Sequence, residues 1–128
     1  MPTYRYLWPS KGTIASPLKM SILHNLAGSA VDKSEIVEDD LIVWFQNGEL
    51  LTVYNKFQIT ASDGSPGTDR ALAGATLTEL TEDDASLQLT FSNGINLTID
   101  MSEDGYSGPE ALQLTRPGLP SIVWRIDD

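Results

Sequence analysis

A chain of 128 residues fits one domain and can bury about two-thirds of the surface of its extended form, enough for a core without metal or disulfide support. Its 41% hydrophobic and 20% charged residues describe a globular protein, and apolar runs such as 41–45 are too short to cross a bilayer. Eighteen acids against eight bases leave a net charge of −10, which repels nucleic-acid phosphates and anionic lipid and favours a cationic partner.

Residues 1–25 read as an N-terminal extension carrying +3 from Arg5, Lys11 and Lys19. Pro2, Pro9, Lys11, Gly12 and Pro17 interrupt every apolar stretch, so no secretory signal is expected and the cytoplasm is the expected location. The spacing of Leu18, Ile22, Leu23 and Leu26 is suggestive of a helix within 17–26, but no strong cap starts one, so at most one short helix is expected. From there the chain repeats itself. Leu26-Ala27-Gly28 recurs as Leu72-Ala73-Gly74 and Asn47-Gly48 as Asn93-Gly94, both at a spacing of 46 residues. The same offset pairs Leu41 with Leu87, Val43 with Leu89, Phe45 with Phe91, Leu51 with Leu97 and Val53 with Ile99. Two copies of one supersecondary unit, 26–55 and 72–100, follow from this spacing.

Each unit reads as a β-hairpin. In the second, Leu87, Leu89 and Phe91 alternate with polar residues, as do Ile95, Leu97 and Ile99. Facing residues must share a side, which selects a three-residue loop at 92–94: Phe91 then opposes Ile95, Leu89 opposes Leu97 and Leu87 opposes Ile99. Such a loop places a left-handed glycine at Gly94, and Gly48 does the same in the first unit. The first hairpin differs in having a second apolar face, where Trp44 opposes Leu50 and Ile42 opposes Thr52, with Tyr54 beside Asp40. Tyr4, Tyr6, Leu7 and Trp8 are candidates to cover it; otherwise it is a contact surface, including one for a homodimer. Further strands are expected at 57–60, 112–115 and 122–126, the last two forming a C-terminal hairpin within 111–126 around Arg116-Pro117-Gly118. The fold class is therefore mainly β, an antiparallel sandwich or half-open barrel built from two duplicated hairpin units with at most one short helix, in a single domain over 1–128.

Catalytic signatures are missing. The absence of cysteine removes disulfides, thiolate metal sites and thiol catalysis. His24 is the one histidine and no Gly-x-Ser-x-Gly motif accompanies it, so a structural or surface role is expected. The acidic runs lack the ligand spacing of a calcium loop, and no glycine-rich phosphate cradle opens a helix, so neither a metal nor a cofactor is expected. Charge is the remaining asymmetry. Residues 26–110 hold sixteen acids against Lys33, Lys56 and Arg70, a net of −13. Each unit sets an acidic cluster before its hairpin, Glu38, Asp39 and Asp40 in the first and Glu82, Asp83 and Asp84 in the second. These clusters read either as solubilising charge at strand connections or as a docking surface for a basic protein.

The paired Leu-Ala-Gly segments at 26–28 and 72–74, the two strand-Asn-Gly-strand hairpins and Pro117-Gly118 followed by Ile122-Val123-Trp124 resemble small bacterial β proteins encoded beside polymorphic toxins. The resemblance spans about 26–126 and implies an immunity protein, which binds a cognate toxin and blocks its active site. On that reading the protein is not an enzyme, and its partner is a basic toxin, a nuclease being the natural target. The contact residues are then Glu38, Asp39, Asp40, Glu82, Asp83 and Asp84, with Trp44 and Tyr54 as apolar anchors. The alternatives are a structural or homo-oligomerising β module and a carbohydrate-binding domain using Trp8, Trp44 or Trp124.

Overall fold

A computed structural model of the chain describes residues 17–125. The N-terminal residues Tyr4, Tyr6, Leu7 and Trp8, and the end of the last expected strand at Ile126, lie outside the described residues. One helix, α1 (Pro17–His24), precedes nine strands: β1 (Val31–Val37), β2 (Asp40–Phe45), β3 (Leu50–Val53), β4 (Phe57–Thr60), β5 (Leu77–Glu82), β6 (Ser86–Phe91), β7 (Asn96–Asp100), β8 (Glu110–Arg116) and β9 (Leu119–Arg125). They form two antiparallel sheets, a five-stranded one in the order β1-β2-β3-β8-β9 and a four-stranded one in the order β4-β7-β6-β5. Neither sheet closes into a barrel.

The hairpin register is the one that face-matching demands. Phe91 donates its N–H to Ile95 O at 2.9 Å, and Phe45 donates to Glu49 O at 2.9 Å, leaving three-residue loops at 92–94 and 46–48. Leu87 faces Ile99 and Leu89 faces Leu97 in the second hairpin, and Trp44 faces Leu50 in the first. Gly48 and Gly94 close the loops at φ 91° and 85°, a region that a side chain with a Cβ enters at a cost.

Two strands escape a period-2 reading. β1 buries Val31 and Ser34, and β5 buries Leu77 and Leu80, three residues apart in both. The cause is a bulge at the same place in each, between Val31 and Lys33 and between Leu77 and Glu79. An extra residue set against one partner shifts the alternation, so the surface pattern looks helical while the backbone stays extended.

The 46-residue offset also runs through the backbone hydrogen bonds between the units. Gly28 N donates to Leu77 O at 2.7 Å and Gly74 N to Val31 O at 2.9 Å. Ala30 and Thr76, themselves one offset apart, form an isolated antiparallel bridge. Each unit then passes a strand to the other sheet. After β3 the chain crosses to place β4 beside β7, and after β7 it crosses back to place β8 beside β3.

Between the sheets lies one core. Leu41, Val43, Phe45, Leu51, Val53, Leu112, Leu114 and Trp124 come from the five-stranded sheet, and Leu77, Leu87, Leu89, Phe91, Leu97 and Ile99 from the other. Leu23 of α1 and Leu26 add to it. Trp124 is 1% exposed, which corrects the expectation that it could serve as a carbohydrate platform: its ring is core. Outside the core, Gln88, Thr90, Asn96 and Thr98 form the polar outer face of the second hairpin, where Asn96 Oδ1 accepts from Gln88 Nε2 and Thr90 Oγ1. On the first hairpin that face is Ile42, Trp44, Leu50, Thr52 and Tyr54, all half-buried.

Candidate functional site

Strand order decides where the acidic clusters go. β2 and β6 each start directly after an acidic turn, and the start of each strand lies beside the end of the next: Leu41 pairs with Val53, and Ser86 with Asp100. Val53 and Asp100 are where the chain leaves its sheet. The two exits touch, since Asn55 Nδ2 donates to Asp100 O at 2.8 Å and Asp100 N donates to Lys56 O at 2.9 Å. Both acidic turns therefore flank one end of the sandwich, on either side of Lys56 and Phe57. The second crossover adds Glu103 and Asp104 in a short 3-10 turn held there by the Lys56 N–H on Gly105 O at 2.8 Å.

The two turns use their carboxylates differently. In the second, Asp83 Oδ1 accepts from the N–H groups of Ala85 and Ser86, each at 2.8 Å, and from Ser86 Oγ. The Ala85 N–H holds the Asp83 carboxyl below the usual carboxylate range; burial opposes it, and the N–H and hydroxyl of Ser86 add to the lowering. Glu82 Oε2 contacts His24 Nε2 at 2.7 Å, tying β5 to the end of α1. His24 thus has a structural partner. Asp84 is exposed. In the first turn Glu38 and Asp39 form a two-residue loop between paired Val37 and Asp40, and among the described residues neither carboxylate has a side-chain hydrogen bond or ion pair. Glu38 has a φ of 58°, the one positive value on a non-glycine residue among those described, a conformation in which glycine is favoured at a hairpin turn.

Because the folded Asp83 is the stronger acid, its contribution to stability is complete above the unfolded carboxylate value of 3.8 and is lost as pH falls through the lower folded value. Asp83→Asn is expected to cost roughly 1 kcal/mol at neutral pH and to flatten the acid limb of a stability–pH curve below about pH 4. Urea titrations from pH 2 to 7 read both; an unchanged acid limb would contradict the role of this carboxylate.

Beside the first turn the two sheets leave a cavity of about 440 Å³. Ile36, Tyr54 and Phe57 supply its apolar wall, Glu38, Asp39, Lys56 and Ser107 its polar lining, and Asn55 its most deeply buried residue. Tyr54 donates its hydroxyl to Gln113 Oε1 at 3.0 Å, and its pKa is pushed up by burial and by the charges of Glu110 and Asp40. Ile36 and Val37, at 45% and 44% exposure, are large apolar residues left open at the rim strand. A second cavity of about 360 Å³ lies across Lys56 and Phe57, lined by Gln58, Ala85, Ser86, Thr98 and Asp100.

Of the sequence-predicted contact residues, the fold brings Glu38, Asp39 and Tyr54 to the first cavity, leaves Asp40 at the start of β2 outside its lining, and sets Asp83 and Asp84 at the same end. Glu82 is engaged by His24. Trp44 stands apart, on the outer face of the five-stranded sheet with Lys33 Nζ 4.4 Å from its ring centre. Asn55, Ile36 and Phe57 were outside the sequence-predicted set. Their signal was present as mismatch: 46 residues on, their counterparts are Met101, Glu82 and Glu103, inverting polar and apolar character at all three. No group of His, Asp and Glu side chains suited to a metal ion occurs among the described residues, and none of their helices is long and apolar enough to cross a membrane. Comparison with known proteins finds no matching family model, no matching curated protein and no matching solved structure.

Proposed function

We propose that the chain is a non-enzymatic protein-binding module of the immunity type, which acts in the bacterial cytoplasm and neutralises a basic toxin by covering its substrate-binding surface. The observation that carries this reading is the convergence of both acidic turns on the crossover end of the sandwich, next to exposed Ile36 and Val37 and an aromatic-walled cavity. A nuclease must attract phosphate, so its active surface is cationic, and clustered carboxylates steer such a surface into encounter. Apolar and aromatic groups inside the charged rim then supply the lasting contacts, as in the anchor residues of other interfaces. The matching backbone frames support a duplication after which the first unit acquired apolar residues at positions where the second has acids. The test is co-expression with the product of the adjacent reading frame. Relief of that protein's toxicity by the chain, and loss of relief with the charge-reversed Glu38→Lys and Asp39→Lys pair, supports the reading. A neighbour that is neither toxic nor bound contradicts it.

A further inference from the structure

The two hairpin loops carry the same reactive dipeptide and hold it differently. In Asn47-Gly48 and Asn93-Gly94 the glycine nitrogen has no side chain beside it to hinder attack on the asparagine Cγ. Asn25, Asn55 and Asn96 precede Leu, Lys and Leu, which do hinder it. Sequence therefore ranks the two loops equally, and much of their geometry is shared. Gly48 N donates to Phe45 O at 3.0 Å and Gly94 N to Phe91 O at 2.9 Å. Each asparagine Oδ1 accepts the N–H two residues on, from Glu49 at 2.9 Å and from Ile95 at 3.2 Å, which fixes the amide orientation and supplies a donor for charge developing on that oxygen. The difference lies at Nδ2. Asn93 Nδ2 donates at 2.8 Å to the backbone oxygen of Ala71, inside the 3-10 turn Asp69–Leu72. Asn47 Nδ2 donates only to side chains, Glu49 Oε1 at 2.8 Å and Ser29 Oγ at 3.4 Å, and these rotate away where a main-chain carbonyl cannot. Gly48 is exposed and Gly94 half-buried, so solvent base reaches the attacking nitrogen of the first loop more readily.

We infer that Asn47 is a site of spontaneous modification, deamidating through a cyclic imide well ahead of Asn93. Solvent base removes the Gly48 N–H proton, the nitrogen forms a bond to Asn47 Cγ, and the Cγ–Nδ2 bond breaks, the amide nitrogen leaving as ammonia with a proton from water. Water then opens the imide with no change in oxidation state. Cleavage at the Cγ–N bond gives aspartate; cleavage at the backbone carbonyl gives isoaspartate, in which the main chain runs through the former side chain. Closure requires Cγ to swing toward Gly48 N, and besides the Glu49 N–H only rotatable side chains oppose that swing. At Asn93 the same swing also breaks a bond to main chain 22 residues away. Either product adds a negative charge beside Glu49. Isoaspartate also lengthens the backbone of a loop that sets Trp44 opposite Leu50, which strains the pairing of β2 with β3.

The test is peptide mapping by tandem mass spectrometry of the full chain held for several days at about pH 8 and 37 °C, native and, in parallel, unfolded in guanidinium chloride. In the unfolded chain both Asn-Gly sites should gain the mass of OH replacing NH2 at rates within twofold of each other. In the native chain Asn47 should react at least fivefold faster than Asn93 and yield both aspartate and isoaspartate. Its rate should fall at pH 6, because the attacking nitrogen must lose a proton. Glu49→Ala, which frees Nδ2, should speed Asn47 at least twofold and leave Asn93 unchanged. Asn47→Ser should abolish the modification at the first loop and, with it, the fall in melting temperature of the aged native chain. Native Asn93 reacting as fast as Asn47, native Asn47 staying intact while the unfolded chain reacts, or a Glu49→Ala variant no faster than the parent would overturn the assignment.

Discussion

Gly105→Ala is expected to lower stability by about 3 kcal/mol, a fall in melting temperature of roughly 10 °C. A Cβ built on Gly105 falls on the backbone oxygen of Asp100, with Asp100 Cγ at 2.7 Å and its carbonyl carbon at 2.8 Å. The obstacle is mainly main chain, which cannot rotate away as a flexible side chain would. That carbonyl also accepts from Asn55 Nδ2, while Gly105 O accepts from Lys56 N. Any shift therefore disturbs both crossovers at once and with them the end of the sandwich that carries the candidate site. Urea unfolding measures the loss; a cost below 1 kcal/mol would show that the two crossovers are not packed as described.

Trp124→Ala should cost about 3–5 kcal/mol, the range for removing a large buried aromatic side chain. Trp124 lies on β9 opposite Leu112 and is 1% exposed, so its removal opens a void that the surrounding β residues fill only in part. Trp124→Phe is the informative control. The indole Nε1 is buried without a hydrogen-bond partner, and burying such a donor is unfavourable, so deleting it offsets some of the lost packing. A cost of about 1–2 kcal/mol is expected for the Phe variant. Equal costs for Ala and Phe would mean that an unseen partner of the indole N–H dominates.

The hairpins were legible because their alternation is strict. Leu87, Leu89 and Phe91 against Ile95, Leu97 and Ile99 leave one loop length that keeps apolar residues on one face, and the backbone adopts it. β1 and β5 were hidden by bulges that space their buried residues three apart. The exchange of β4 and β8 between sheets has no local signature, since it depends on which edge is free once the hairpins form. For the site, charge counting finds the acidic turns but not their meeting at one end, which follows from the antiparallel order of β2 with β3 and of β6 with β7. Asn55 was missed because a single Asn after a strand reads as an ordinary turn residue. Its burial emerges only when the crossover packs it against Asp100 and Met101.

The claim that the crossover end is the binding surface is tested most directly by comparing two sets of neutralised acids. Glu38→Gly with Asp39→Asn removes charge at that end; Asp32→Asn with Glu49→Gln removes the same charge near the hairpin loops at the other. Hexa-arginine affinity measured by calorimetry at low salt should fall at least tenfold in the first variant and less than threefold in the second. Equal losses in both would contradict a localised site and leave only the general attraction of an acidic protein for a basic one.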